Sequence, residues 1–123
     1  MIHGVGVDIM DINRIHISNS DFNDPFLHKT FTENERKEGT LSNNPTRYFA
    51  GRFSAKEAVF KALRTSSDTI RLNEIEILND NENKPYVNLL NKAKLLAEQL
   101  RISQVSISLS NEGDLVISFA VSE

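Results

Sequence analysis

The sequence predicts an α+β fold, with one long central helix and a shorter C-terminal helix packed on mainly antiparallel strands. All of it falls in a single domain over residues 1–123. Three observations carry this. Residues 44–65 hold one apolar stripe at helical spacing between start and stop signals. Residues 88–101 repeat that spacing over a shorter length. Residues 105–121 alternate apolar with small or polar side chains on either side of a turn, which is the pattern of a terminal hairpin.

The chain opens with IHGVGVDI, an expected strand from Ile2 to Ile9. Val5, Val7 and Ile9 fall on one face, and Gly4, Gly6 and Asp8 on the other. Two glycines leave that second face bare, which points to close approach of another backbone or a ligand. Asp8 then sits at the edge of a space able to hold a metal ion or a phosphate. An Asp capping the turn after a strand is the plainer alternative. The run is not a GxGxxG phosphate loop, because the third glycine is missing and no helix follows directly.

Ile12, Ile15 and Ile17 suggest a short helical turn, and Ser18 to Pro25 is polar and turn-rich. Phe26, Leu27 and Phe31 resume an apolar pattern with His28 and Lys29 exposed. Thr32 followed by Glu35 is a capping box for a short helix. Asn44 and Pro45 then open the long helix, since Asn can cap an orphan N–H and Pro at the first turn has no N–H to leave unpaired. Phe49, Phe53, Phe60 and Leu63, widened by Val59 and Ala62, form its stripe over roughly 30 Å. Gly51 inside that helix costs about 1 kcal/mol against Ala, so a close backbone contact is expected there.

Beyond the helix, Leu72 to Asn79 reads as a strand, NDNENK as a turn, and Pro85 to Val87 as the returning strand. Leu89, Ala93, Leu96, Ala97 and Leu100 mark the second helix. Val105, Ile107 and Leu109 alternate with serines. Asn111 to Asp114 turn the chain, and Leu115, Ile117, Phe119 and Val121 alternate back. The bare face of the first strand and the small-residue face of this hairpin are expected to accept neighbouring subunits.

No run of eighteen apolar residues spans a membrane, and the N-terminus lacks a basic n-region and cleavage site. With no Cys, neither a disulfide nor a thiolate zinc site is open to the chain, and a cytoplasmic setting is expected. The net charge of −3 argues against general nucleic-acid binding. Of the 14 Lys and Arg, nine lie in residues 1–64, a seat for an anionic ligand or partner. His3, His16 and His28 show no zinc spacing.

Glu57 and Lys61 stand one helical turn apart, with Arg52, Lys56 and Arg64 nearby. Taken alone, they read as a solvated ion pair of a few tenths of a kcal/mol. Beside Asp8 they allow a second reading. Hard oxygen ligands suit Mg²⁺, which takes one or two carboxylates and completes its shell with water and phosphate. A lysine alongside can neutralise charge on a transferring phosphoryl group.

In order and spacing, GVGVDI, the TxxE segment, FAGRFSAKEAVFKAL, EIEILND with KPYV, and VSIS before the last hairpin resemble the holo-[acyl-carrier-protein] synthases. These are the small phosphopantetheinyl transferases. The resemblance implies that fold and the transfer of the 4′-phosphopantetheine arm of coenzyme A to a serine of apo acyl carrier protein, releasing 3′,5′-ADP. It implies Mg²⁺ held by Asp8 and Glu57, with Lys61 by the phosphates and Glu57 helping to deprotonate the serine. It places Arg52, Lys56, Thr65 and Ser110 at the cofactor, and Arg14, Phe26 and Lys29 at the docking face for an acidic carrier protein. It further implies a homotrimer with active sites between subunits.

Two positions depart from the family pattern. Arg64-Thr65-Ser66 stands where the family has a GTG turn, and Leu109 where it has the His of S-H-S/T. Leucine cannot hydrogen-bond or carry charge. A carrier-protein binder that keeps the fold without catalysis is therefore the alternative, and a domain whose charged helix is merely solvated is the third reading.

Overall fold

The computed structural model describes residues 1–15 and 24–123. In chain order it shows β1 (Gly4–Asp11), α1 (Pro25–Thr30), α2 (Glu33–Thr40), α3 (Pro45–Leu63), β2 (Ile75–Asn79), β3 (Pro85–Leu89), α4 (Asn91–Gln99), β4 (Val105–Glu112) and β5 (Leu115–Ser122). All the strand pairs are antiparallel. One sheet runs in the order β1-β5-β4, and β2 with β3 forms a separate hairpin.

The caps expected from the sequence form. Asn44 Oδ1 accepts from the Arg47 N–H at 3.1 Å, with Pro45 in the first turn of α3. At the start of α2, Thr32 Oγ1 accepts from the Glu35 N–H and Glu35 Oε1 from the Thr32 N–H. Helix α3 ends on Arg64, whose φ of 60° places a non-glycine residue in the left-handed cap. The Thr65 N–H then closes the last turn on the Phe60 carbonyl at 3.0 Å.

Element boundaries shift where pairing competes with helical pattern. β1 starts at Gly4 and extends to Asp11, and the turn expected around Ile12 is a single 3-10 turn, Ile12–Arg14. Ile17 and most of the turn-rich stretch after it lie outside the described residues. Leu72–Glu74 forms a 3-10 turn ahead of β2. Helix α4 begins only at Asn91, because Leu89 is still paired with Ile75 across the hairpin.

Helix α3 lies across β1 and β5. On its other side Val59, Phe60 and Leu63 pack with Ile70, Ile75, Ile77 and the α4 residues Ala93 and Ala97. Phe49 packs with Leu27 and Phe31, fastening α1 to the start of α3.

The faces of the outer sheet correct one expectation. The bare face of β1 and the small side of β5 receive α3, not a neighbouring subunit. Ser106, Ser108 and Ser110 of β4 lie exposed on the outer face, beside Phe119 and Ile117. A methyl built on Gly6 would stand 1.9 Å from the Ala58 carbonyl oxygen, and one on Gly4 2.3 Å from that of Ala62. On β5 the buried positions are Val116, Ser118, Ala120 and Ser122, mostly small for the same reason. The larger side chains are turned outward. Val5, Val7 and Ile9 of β1 and Leu115, Ile117 and Phe119 of β5 form one exposed apolar surface.

Gly51 corrects another. It is buried, but a methyl there would meet only Leu109 Cδ2, at an ordinary 3.5 Å. The two glycines therefore predict opposite outcomes. Gly6→Ala should destabilise the fold by about 2–3 kcal/mol, because backbone must move, and lower Tm by roughly 10 °C. Gly51→Ala should leave Tm unchanged or raise it, since it removes a helix-interior glycine. Thermal melts of the two variants check this, and equal losses would contradict it.

Candidate active site

The close approach of β1 to α3 builds the site. Asp8 is the next inward position on β1 after Gly4 and Gly6, and it pairs with Ser118 of β5. Glu57 directly precedes Ala58, whose carbonyl Gly6 faces. The two carboxylates line one cavity of about 420 Å³, together with Arg14, Phe26 and Phe53. Phe53 was read as stripe residue only. Its place one turn before Glu57, on the same helix face, is the signal that could have found it.

Both carboxylates are half-buried. The Glu57 carboxyl is held above the usual glutamate range, chiefly by burial and then by the negative charge of Asp8, with Lys61 opposing. Lys61 is exposed, and its Nζ donates to the Val7 carbonyl at 2.7 Å. Among the described residues it forms no ion pair with Glu57, so the bland surface pair is not what the helix presents. The ammonium instead bridges back to β1, beside Asp8. Ser54 and Ser118 join below, Oγ to Oγ at 2.9 Å, and Ser54 Oγ reaches the Asp8 carbonyl at 3.4 Å.

Among the described residues no three His, Cys, Asp or Glu gather at one point. A cation held by this cavity would therefore take two carboxylates and fill its shell with water or ligand oxygens. That is a hard-oxygen arrangement of the kind Mg²⁺ accepts.

Lys56 overturns an expectation. It was placed at cofactor phosphates, but its side chain is wholly buried on the opposite side of α3. Nζ donates to Glu35 Oε1 at 2.8 Å, to the Leu72 carbonyl at 3.0 Å and to the Ile75 carbonyl. Successive helical residues are turned by about 100°, so Lys56 leaves α3 on a different face from Glu57. Burial pushes the Lys56 amine down and the Glu35 carboxyl up, and their attraction opposes both shifts.

Arg52 lies on the Lys56 side. Its guanidinium donates to the Ile77 carbonyl at 3.1 Å and to Asn79 Oδ1 at 2.7 Å, and stands 4.4 Å over the Tyr48 ring. With Ser110, Leu109 and Gly51 it lines a second cavity of about 410 Å³. Thr65 follows the left-handed cap of α3, half-buried. Arg14 and Phe26 share the Asp8–Glu57 cavity, whereas Lys29 lines a third cavity on the other flank of α1.

The chain is similar to known proteins over nearly its whole length. The family model of the 4′-phosphopantetheinyl transferase superfamily matches residues 4–120. The chain is 41% identical to the holo-[acyl-carrier-protein] synthase of Alkaliphilus oremlandii, over 98% of each protein. Its fold superposes on the crystal structure of the Neisseria meningitidis holo-[acyl-carrier-protein] synthase with a TM-score of 0.89, at 35% identity over 100% of this chain and 99% of that one. A Bacillus anthracis holo-(acyl-carrier-protein) synthase solved in complex with CoA (3′,5′-ADP) superposes with a TM-score of 0.78, at 30% identity over 99% and 96%.

The electrostatics of the cavity can be read directly. In metal-free protein the Glu57 carboxyl should titrate above the ordinary glutamate range, because burial and Asp8 both disfavour its charged form. Asp8→Asn removes the second cause, so the midpoint should fall while staying above the ordinary range. Side-chain ¹³C NMR of labelled glutamate measures both. A Glu57 midpoint that Asp8→Asn leaves in place would mean the two carboxylates do not sense each other.

Proposed function

Because the chain belongs to the holo-[acyl-carrier-protein] synthases of the 4′-phosphopantetheinyl transferase superfamily, enzymes that move phosphopantetheine onto acyl carrier protein, we propose that it does so from coenzyme A, with Mg²⁺, releasing 3′,5′-ADP. The observation that carries this reading is the convergence of Asp8 and Glu57 on one cavity, with the Lys61 ammonium anchored beside them. Asp8 and Glu57 would hold the Mg²⁺, which when bound neutralises charge on the CoA diphosphate.

The remaining work falls to this chain's side chains. Lys61, exposed and tethered to the Val7 carbonyl, offers its ammonium to phosphate oxygens in line with the carboxylates. Beside its place at the metal, Glu57 presents a carboxylate oxygen that would help take the proton from the incoming serine hydroxyl. Phe26 and Phe53, with ring centroids 6.1 Å apart, wall the cavity with apolar surface and restrict water around the reacting groups.

Arg52 and Ser110 also fit the reading, provided that they act in trans. Arg52 lies five residues before Glu57, about 140° around the helix, so one subunit cannot turn both toward one small ligand. A neighbouring copy could bring its Arg52 cavity to the Asp8–Glu57 cavity. The exposed apolar surface of β1 and β5 supplies the means of assembly. We read it as the surface on which three copies join. No helix of the described chain is long and apolar enough to cross a membrane, and the cytoplasm suits the proposed substrates.

Two measurements test this reading. Intact-mass spectrometry of apo acyl carrier protein incubated with the protein, CoA and Mg²⁺ should show a gain of one phosphopantetheine. EDTA should abolish the gain, and Glu57→Ala should slow it by roughly 100-fold or more, since even supporting partners of a metal ligand cost 10–100-fold. Transfer that persists in EDTA would refute the metal assignment. Light scattering should give three times the 13.9 kDa chain mass, and Phe119→Lys should shift it toward one. A monomeric parent protein would refute the trimer.

A further inference from the structure

Glu38, in the last turn of α2, lines neither the Asp8–Glu57 cavity nor the Arg52 cavity. Its carboxylate nevertheless holds three residues that line the second. The Tyr48 hydroxyl and Arg52 Nη2 both donate to Oε2, the latter at 3.3 Å, and the Asn79 N–H donates to Oε1 at 3.0 Å. Tyr48 and Arg52 stand one turn apart on α3, and Asn79 ends β2. One side chain of α2 therefore gathers two other elements around the cavity.

Arg52 is engaged along one edge. Besides the bond to Glu38, Nη2 donates to Asn79 Oδ1 at 2.7 Å and Nε to the Ile77 carbonyl at 3.1 Å. Asn79 Nδ2 donates in turn to Asn83 Oδ1 at 3.1 Å, which leaves Asn79 Oδ1 for the arginine. The Tyr48 ring backs the guanidinium plane. Burial first, with a smaller addition from Glu38, pushes the Tyr48 phenol well above its usual range, so its hydroxyl stays a donor. Nη1 takes part in none of these bonds among the described residues. A guanidinium is a planar fork of five donors, so fixing Nε and Nη2 aims Nη1. No acidic residue lines the cavity to claim that free edge.

We propose that Glu38 is a positioning residue for the cofactor: it locks the guanidinium of Arg52 by its far edge, so that Nη1 is offered to an anionic group of coenzyme A. The inference rests on the transferase reading above. Glu38 also opposes the charge of Arg52, which would weaken the grip on an anion. Position outweighs charge here, because Glu38 stands outside the cavity and is partly exposed to water that screens its field. Its hydrogen bonds act on Arg52 directly, and a side chain ordered before binding spares the ligand that cost.

The test is a double-mutant cycle with folding checked by thermal melt. Glu38→Ala should raise KM for CoA about fivefold, the worth of one ordered side chain, with kcat and KM for the apo carrier unchanged. Glu38→Gln, which keeps an acceptor oxygen, should recover most of the loss. In an Arg52→Ala background, Glu38→Ala should add nothing. An equal loss in that background would overturn the proposal, since Glu38 would then act on the fold and not through Arg52. A lower KM for CoA in Glu38→Ala would also overturn it, because the carboxylate would then only offset charge. ¹⁵N exchange NMR of the Arg52 guanidinium gives a readout free of catalysis. Interchange of Nη1 and Nη2 should be slow in the parent protein and several-fold faster in Glu38→Ala, and equal rates would sink the idea. If the parent protein transfers nothing, the transferase reading fails, and the guanidinium rates still decide whether Glu38 holds Arg52.

Discussion

The contact between the backbones of β1 and α3 is the constraint on which the rest of this structure depends. It exists because both surfaces are made of the smallest side chains. The strand offers Gly4 and Gly6, the helix Ala58 and Ala62, and the adjoining strand Ser118, Ala120 and Ser122. Where glycine ends on that strand face, Asp8 begins, opposite the helical turn that carries Glu57. Two carboxylates left to themselves would separate. Here the packing energy of the helix against the sheet holds them together, and burial first, then the charge of Asp8, raises the affinity of Glu57 for its proton. Filling the inner face with small residues also displaces the large apolar ones outward. Site formation and an exposed apolar sheet face are two consequences of one packing choice.

A second constraint holds the wall of the site. Glu35 caps its own helix, accepts from the Ile77 N–H at 2.9 Å and pairs with Lys56, so one carboxylate ties α2 to α3 and β2. Both members of the pair are fully buried. Such a pair need not add net stability over an apolar equivalent, but removing one partner strands a buried charge at about 3–5 kcal/mol. What it supplies is register. It locks the α1–α2 arm, and hence Phe26, against the helix that carries Glu57. Lys56 and Glu57 are neighbours in sequence with divided labour, one holding the wall and the other lining the cavity.

Most of the elements were legible in the sequence, because their signals are local. The caps at Asn44 and Thr32, the alternation of the terminal strands and the stripe of α3 all depend on residues within a few positions of each other. The faces were harder. Alternation shows that β1 and β5 each have a large and a small side, but not which one meets the helix. That depends on how closely two backbones approach, which no single segment states. Lys56 was misread for a related reason. Its burial follows from Glu35, twenty-one residues away, and from carbonyls of a later segment. Gly51 looked like a contact glycine, although its flank faces only Leu109. Asp8 was marked by the bare glycine face beside it, whereas Glu57 and Lys61 alone read as a solvated pair and gained their functional reading from the family resemblance.

The two departures from the family pattern can be weighed on the same physical terms. Arg64 occupies the left-handed cap of α3 at φ 60°, where a glycine would be free of Cβ strain. An L-residue there costs about 1–2 kcal/mol, yet the Thr65 N–H still closes on the Phe60 carbonyl. The turn keeps its path without its glycine. Leu109 sits at the inner ladder position opposite Ser118, half-buried, with its methyl group against the flank that Gly51 leaves open. Its chemistry differs from an imidazole's, but it lies in the Arg52 cavity and not beside Asp8 and Glu57. A change there leaves the surroundings of the carboxylate pair intact. Leu109 thus lies at one cavity and the carboxylate pair at the other, while Arg64 lines neither.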